Sequence, residues 1–325
     1  MSVLTVGAIG SIIALGLNVR WGWAGDFDLS YYAFVAVGAY MGGVIVIGPS
    51  PQQVDQSWML GLHQNFVVGL LVAAVASTAV SIVVGAVALR QLRSDYFAIV
   101  TLAFALIAAA VISVQNTNLF NGQSGIYTIP QPLSDKFDYF SYGYFYLGLV
   151  AIFLVAVYAV LELIYRSPFG RTLRIIREDE IAAEAFGRNV YRAKLKAFAI
   201  GGAVAGVGGF LFATYLTAWD PATWSPFEAI LLYTAIFLGG QANSRGVIVG
   251  VFVALVALPE TTRFLPNIPG HPNLYPELHN VMQMLLLLAV LRWRPQGIFP
   301  EMRFLDRFTS GRLASVDKPK AAARG

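Results

Sequence analysis

Nine apolar runs, none containing an Asp, Glu, Lys or Arg, limit what this chain can fold into. Six are long, at residues 2–19, 30–48, 66–89, 96–114, 144–161 and 197–218, and three are shorter, at 229–244, 246–259 and 278–291. A hydrocarbon core of about 30 Å is spanned by roughly 20 helical residues, and backbone inside it must satisfy its own N–H and C=O groups. These runs therefore predict an all-α, polytopic integral membrane protein. Only 12% of the 325 residues are charged, about half the share found in soluble domains. Run 2–19 has no basic segment before it and no small-residue cleavage site, so it reads as a mature transmembrane helix rather than a signal peptide. The shorter, Gly-interrupted runs predict broken or half-spanning helices, for about eight to nine transmembrane or half-spanning helices in all.

Several chemistries are absent. With no Cys there are no disulfides, thiol nucleophiles or thiolate metal sites, and His63, His271 and His279 lack metal-ligand spacing. No Gly-Lys dipeptide occurs, so the chain has no P-loop, and nucleotide-driven work would need another subunit. No catalytic constellation falls within a run, which argues against an enzyme.

The segment 166–196 is the longest water-soluble piece that carries structural signals. It holds Arg166, Arg171, Arg174, Arg177, Arg188, Arg192, Lys194 and Lys196, with Glu178, Asp179, Glu180 and Glu184 in the middle. Ser167 reads as an N-cap with Pro168 at the first helical position, and Gly187, beside Asn189, as the stop, so one helix is expected between them. If this loop is cytoplasmic and the runs alternate, Lys136 and Arg263 are the only two of the 22 Lys and Arg left outside. That bias predicts nine crossings, the N-terminus outside and the C-terminus in the cytoplasm. It also requires 229–259 to be two segments meeting near Gln241 to Arg245.

The run Ser167-Pro168-Phe169-Gly170-Arg171, then Arg177-Glu178-Asp179-Glu180-Ile181-Ala182-Ala183-Glu184-Ala185-Phe186-Gly187, resembles the coupling loop of bacterial ABC importer permeases, more narrowly the branched-chain amino-acid permeases of the LivM type. Gly38-Ala39-Tyr40 and Arg292-Trp293-Arg294-Pro295-Gln296-Gly297-Ile298 resemble the same family. The resemblance departs from the family where its Glu-Ala-Ala triplet is broken up and where Asp26, Asp28, Ser30 and Tyr31 replace its usual Gln-x-Ser-x-Gly-His. It implies a permease domain over 1–300 with a cytoplasmic coupling loop over 166–196; the cytoplasmic tail over 301–325, poor in large apolar residues from Thr309 on, is expected to be disordered at its end. Also implied are a bacterial inner-membrane location, membrane lipid around the helices, and three kinds of partner: a homologous second permease, two ATP-binding subunits and an extracytoplasmic substrate-binding protein; no nucleic acid is expected. No cofactor is expected in this chain, ATP being bound by the partner. Residues matching the coupling motif are Arg171, Arg177, Glu180, Ala183, Glu184 and Gly187. Without the resemblance, the same loop reads as an amphipathic helix lying on anionic lipid.

Four interruptions are candidate parts of a substrate path. In 16–30, Asn18, Gly25, Asp26 and Asp28 stand out. Asp28 or Ser30 is expected to N-cap the second helix, and Asp26 either to face a polar cavity or to pair with Arg20. Asn121, Gly122 and Gly125 form an outer loop that suits a vestibule or binding-protein dock, and equally an ordinary turn. Segment 199–209 carries small-xxx-small faces at Gly202/Gly206 and Ala205/Gly209, expected to serve helix packing. Gly239, Gly240 and Asn243 mark a helix break whose ends could hold a zwitterion, or a cytoplasmic turn. Leucine, isoleucine or valine are the substrates the resemblance implies. Urea or short-chain amides, and a secondary transporter using Asp26, are the alternatives.

Overall fold

The computed structural model describes residues 2–48, 60, 62–91, 94–114, 120–221, 226–258, 260, 274–294 and 296–299. The tail expectation for 301–325 lies outside them. Among the described residues eleven α-helices are formed: α1 Ser2–Asn18, α2 Tyr31–Val46, α3 Phe66–Gln91, α4 Ser94–Val114, α5 Tyr139–Arg166, α6 Pro168–Glu178, α7 Glu180–Ala185, α8 Val190–Leu216, α9 Pro226–Gly239, α10 Ser244–Val251 and α11 Leu274–Trp293. Each apolar run becomes one helix, because an all-apolar stretch can bury its backbone polar groups only in its own i→i−4 bonds. Among the described residues, five helices are long and apolar enough to cross a membrane, at residues 2–23, 66–90, 96–114, 141–166 and 190–216, and four apolar helices are shorter.

Burial separates the inner helices from the outer ones. In α1 and α8, 72% of the apolar window is covered by the rest of the chain, against 22%, 17% and 11% for the windows in α3, α4 and α5. The outward faces of α3, α4 and α5 carry bare aliphatic side chains such as Val75, Ile107 and Ile152, which is what a lipid-facing surface needs. The inner helices approach closely because they lack side chains where they cross. A Cβ on Gly38 of α2 would strike the backbone of Gly206 of α8, and one on Gly206 would meet Ala73 and Ser77 of α3. The small-residue stripe 199–209 is thus the packing device expected of it.

Segment 229–259 folds back on itself. α9 ends at Gly239, Gly240 takes φ 111°, and Asn243 caps α10 by accepting from Arg245 and Gly246 N–H. α10 then runs into a π-helical turn, Phe252–Ala257. Gly239 and Gly246 sit backbone to backbone across this hairpin, so the two-segment expectation holds.

Hydrogen bonds sort the connections onto two faces. On one, Ile126 and Tyr127 pair antiparallel with Trp219 and Ala218, and Ile129 N–H donates to Thr217 C=O (3.0 Å). On the other lie the α1–α2 turn, α6, α7, the α9–α10 turn and residues 296–299; Asn18 accepts from Ala242 N–H (3.0 Å), and Ile298 N–H donates to Leu238 C=O (2.8 Å).

Replacing Gly206 with Leu is expected to cost at least about 1–3 kcal/mol through overpacking. The same change at Gly148 of α5, where an added Cβ meets nothing within 4 Å, is expected to cost under about 0.5 kcal/mol. Unfolding temperature and the monodisperse fraction in detergent check both.

Candidate functional site

The charged loop is built as two helices. Ser167 accepts from Gly170 N–H (3.4 Å) with Pro168 beginning α6, and Gly170, Leu173 and Ile176 point inward at three-residue spacing. The expected single helix stops at Asp179 instead. Asp179 is extended (φ −158°, ψ 108°), and its carboxylate accepts from Ala182 N–H (3.0 Å), starting α7 as an N-cap. An Asp can offer the backbone this alternative to helical pairing, and here it does so in mid-loop. Gly187 closes α7 in the left-handed region (φ 74°), donating to Glu184 C=O (2.8 Å), while Arg188 N–H donates to Ala183 C=O (3.0 Å). In α7 Ala183 is fully buried, whereas Ile181 and the following Phe186 are 81% and 82% exposed. Glu184 and Arg171 are also exposed.

This loop rests on the turn between α1 and α2. After Asn18 the chain takes a π-helical turn, Val19–Trp23, then irregular backbone to Ser30. The Arg177 guanidinium of α6 donates to Gly22 C=O, and Gly25 (φ 85°) lies against the Arg177 side chain, where a Cβ would meet its Cγ at 3.1 Å. From α7, Glu180 pairs with Lys194 of α8, and the same ammonium pairs with Asp26 at 2.6 Å. Both helices of the loop are therefore tied to one turn, through Arg177 and through Lys194.

Deeper in the turn, Arg20 is fully buried and paired with the equally buried Asp28. It also donates to Ser81 Oγ of α3 (2.6 Å) and Phe198 C=O of α8 (3.0 Å), and stacks over the rings of Tyr31, Phe34 and Phe198 at 4.3–5.0 Å. Asp28 accepts from Ser30 N–H (2.9 Å) and Ser30 Oγ (2.5 Å), and its backbone meets Tyr233 Oη of α9. Of the two alternatives for Asp26, the polar cavity is the one formed, and the capping expectation is corrected. Arg20 pairs with Asp28, not Asp26, because the turn carries Asp28 back into the bundle beside it. Neither carboxylate nor Ser30 Oγ caps α2: Ser30 is the N-cap residue but makes no side-chain cap bond, since Asp28 already holds its hydroxyl.

Asp26 lines a cavity of about 690 Å³ with Glu180, Glu184, Arg90, Arg192 and Lys194. Burial pushes its carboxyl up from 3.8 to about 6, with Lys194 pulling the other way and Glu180 and Asp28 adding to the rise. One Asp26 oxygen, Oδ2, is buried with no hydrogen-bond partner among the described residues. Lys194, which joins the two halves of the site, is read from the sequence only as one of the loop's eight basic residues and not as a candidate site residue. Its partners lie 14 and 168 positions away, so no local pattern marks it.

The proposed path residues do not converge. Asn18, Gly25, Asp26, Asp28, Gly239, Gly240 and Asn243 share the face of the charged loop, whereas Asn121, Gly122 and Gly125 lie on the opposite one. The Asn121 loop is a tight turn: all three residues take positive φ, and Asn121 Nδ2 donates to Gly125 C=O (3.0 Å). The break at Gly239 does not present open helix ends, because Leu238 and Gly239 C=O accept from Ile298 and Phe299 N–H and the Asn243 side chain caps α10. Among the described residues no group of His, Asp and Glu could hold a metal ion.

Residues 1–291 match the family described as the permease component of branched-chain amino acid transport systems. The chain is 32% identical to the high-affinity branched-chain amino acid transport system permease protein LivM of Salmonella typhimurium, over 96% of this chain and 72% of that one. It is 28% identical to the probable LivM permease of Methanocaldococcus jannaschii, over 89% and 90% of the two chains. With the permease protein LivH of Salmonella typhimurium it shares 26% identity over 91% and 92%. No solved structure matches.

The Asp26 carboxyl titrates higher folded than unfolded, so it favours the folded state most below its ordinary pKa, and that advantage is lost as pH rises through about 6. Asp26→Asn removes this dependence. The unfolding-temperature difference, variant minus wild type, is expected to grow from about pH 4.5 to about pH 7.5 by the equivalent of about 2 kcal/mol. A thermal-shift series in detergent over that range checks it.

Proposed function

The chain belongs to the permease family of branched-chain amino-acid transport systems, and on that footing we propose that it is a membrane-spanning subunit of an ABC importer carrying leucine, isoleucine or valine into the cell. The observation that carries this reading is the pair of ties, Arg177 to Gly22 and Glu180 through Lys194 to Asp26, joining the exposed charged loop to the turn between two inner helices. A surface element that must move buried helices needs such fixed points. Ile181 and Phe186 stand out on that surface, outside any apolar run, as anchors for a soluble partner.

In this mechanism the chain pairs with a second permease, of the kind the LivH similarity suggests, and with two ATP-binding subunits that dock on its α6–α7 loop and on the second permease's counterpart. ATP is bound and hydrolysed by those subunits. Closing of the ATPases draws the loops together, and Arg177 and Lys194 pass the displacement to residues 19–28 and thence to α1 and α2. A soluble binding protein delivers substrate at the opposite face, near Asn121 to Gly125. The loop face is cytoplasmic in this reading, which puts the N-terminus outside and the C-terminus inside the bacterial inner membrane, in accord with the basic-residue bias. Secondary transport through Asp26 has little support, since Lys194 already engages that carboxylate.

Purification of the tagged chain from its native host in mild detergent is expected to recover an ATPase and a second permease. Gly187→Trp or Glu184→Lys, both on the exposed loop, is expected to cut uptake per ATP hydrolysed by about tenfold with membrane insertion intact. Recovery of the chain alone after crosslinking, or full coupling in both variants, would overturn the reading.

A further inference from the structure

We infer that Lys194 is the positioning residue that transmits the motion of α7 to the inner helices, its single ammonium acting as a joint between Glu180 and Asp26. The inference rests on the importer reading above and deepens it. Asp179 separates α7 from α6, so α7 can shift without carrying α6 along. Among the described residues α7 has few inward attachments: the buried Ala183 methyl and the Glu180–Lys194 pair. The α6 helix, in contrast, is held by buried Leu173 and Ile176 and by Arg177.

Lys194 suits a joint because its two bonds differ in exposure. The Lys194 side chain is 7% exposed and that of Asp26 6%, whereas that of Glu180 is 46% exposed. The inner bond is therefore poorly screened and stiff, and the outer one is wet and able to reorient. Asp26 stands two residues before Asp28, which is bonded through Arg20 to α3 and α8 and through Tyr233 to α9. Displacement of Glu180 thus reaches three helices through directional polar contacts and the short backbone link from Asp26 to Asp28. A Met or Leu at 194 could fill the same space but would offer neither carboxylate a directional contact.

The test uses the whole transporter, copurified and reconstituted in proteoliposomes, with radiolabelled leucine uptake and ATP hydrolysis measured together. In Lys194→Gln, uptake per ATP hydrolysed is expected to fall about tenfold with the ATPase still copurifying in wild-type amount; Asp26→Asn is expected to act likewise, and Lys194→Arg to restore at least half of the ratio. If Lys194→Gln does not assemble, Glu180→Gln, altered only at the exposed end of the joint and expected to assemble, must show a severalfold fall. Wild-type ratios in Lys194→Gln or Glu180→Gln, or a loss in Lys194→Gln that merely tracks the amount of assembled complex, would overturn the inference. Failure of the wild-type chain to bring down any ATPase would instead overturn the importer reading itself.

Discussion

The buried pair of Arg20 and Asp28 is the interaction on which the membrane bundle depends. A guanidinium with no exposure to water is tolerated only where its charge is matched and its donors are occupied. Here Asp28, Ser81 and the Phe198 carbonyl supply polar partners to the two terminal nitrogens and three aromatic faces flank the guanidinium, leaving only Nε without a hydrogen-bond partner among the described residues. Because those partners belong to the α1–α2 turn, α3 and α8, the pair sets the relation of these elements as a fixed-geometry clamp. Apolar packing between smooth helices would leave them free to slide; directional bonds to a buried charge do not.

That clamp also explains the shape of the turn. Residues 24–30 are irregular backbone that begins beside α6 and α7 and ends among inner helices, a placement tolerated where protein rather than lipid surrounds it. Asp28 and Tyr233 bind each other's polar groups, and Trp21 and Phe27 pack on the Tyr233 ring at 5.2 Å and 4.3 Å. The turn thereby joins α9 as well. Two layers of charge result, a dry one at Arg20–Asp28 and a partly wet one at Asp26–Lys194–Glu180, with the exposed loop attached to the second.

Much of this architecture was legible in the chain. Charge-free runs of the right length marked each apolar helix, since no other local structure satisfies the backbone there. Ser167-Pro168 marked the start of α6 and Gly187 the end of α7, because a side-chain cap, a fixed φ and a positive φ are properties of single residues. The α9–α10 fold-back was legible through the basic-residue count. The break at Asp179 was not, because Asp is acceptable within a helix and becomes a cap only where the chain around it bends.

The sequence by itself determined that this chain is a bundle of membrane helices with one structured, charged loop, and its motifs pointed to the permease family. Those conclusions follow from solvation and from local backbone preferences, which act over a few residues. Which charge meets which was decided only by tertiary structure. Arg20 has Asp26 and Asp28 within reach along the chain, and only the fold of the turn selects Asp28; Lys194 gains its role from carboxylates 14 and 168 residues away. Ion pairing acts through space over a few ångströms, and sequence spacing does not encode that distance once the chain turns back on itself.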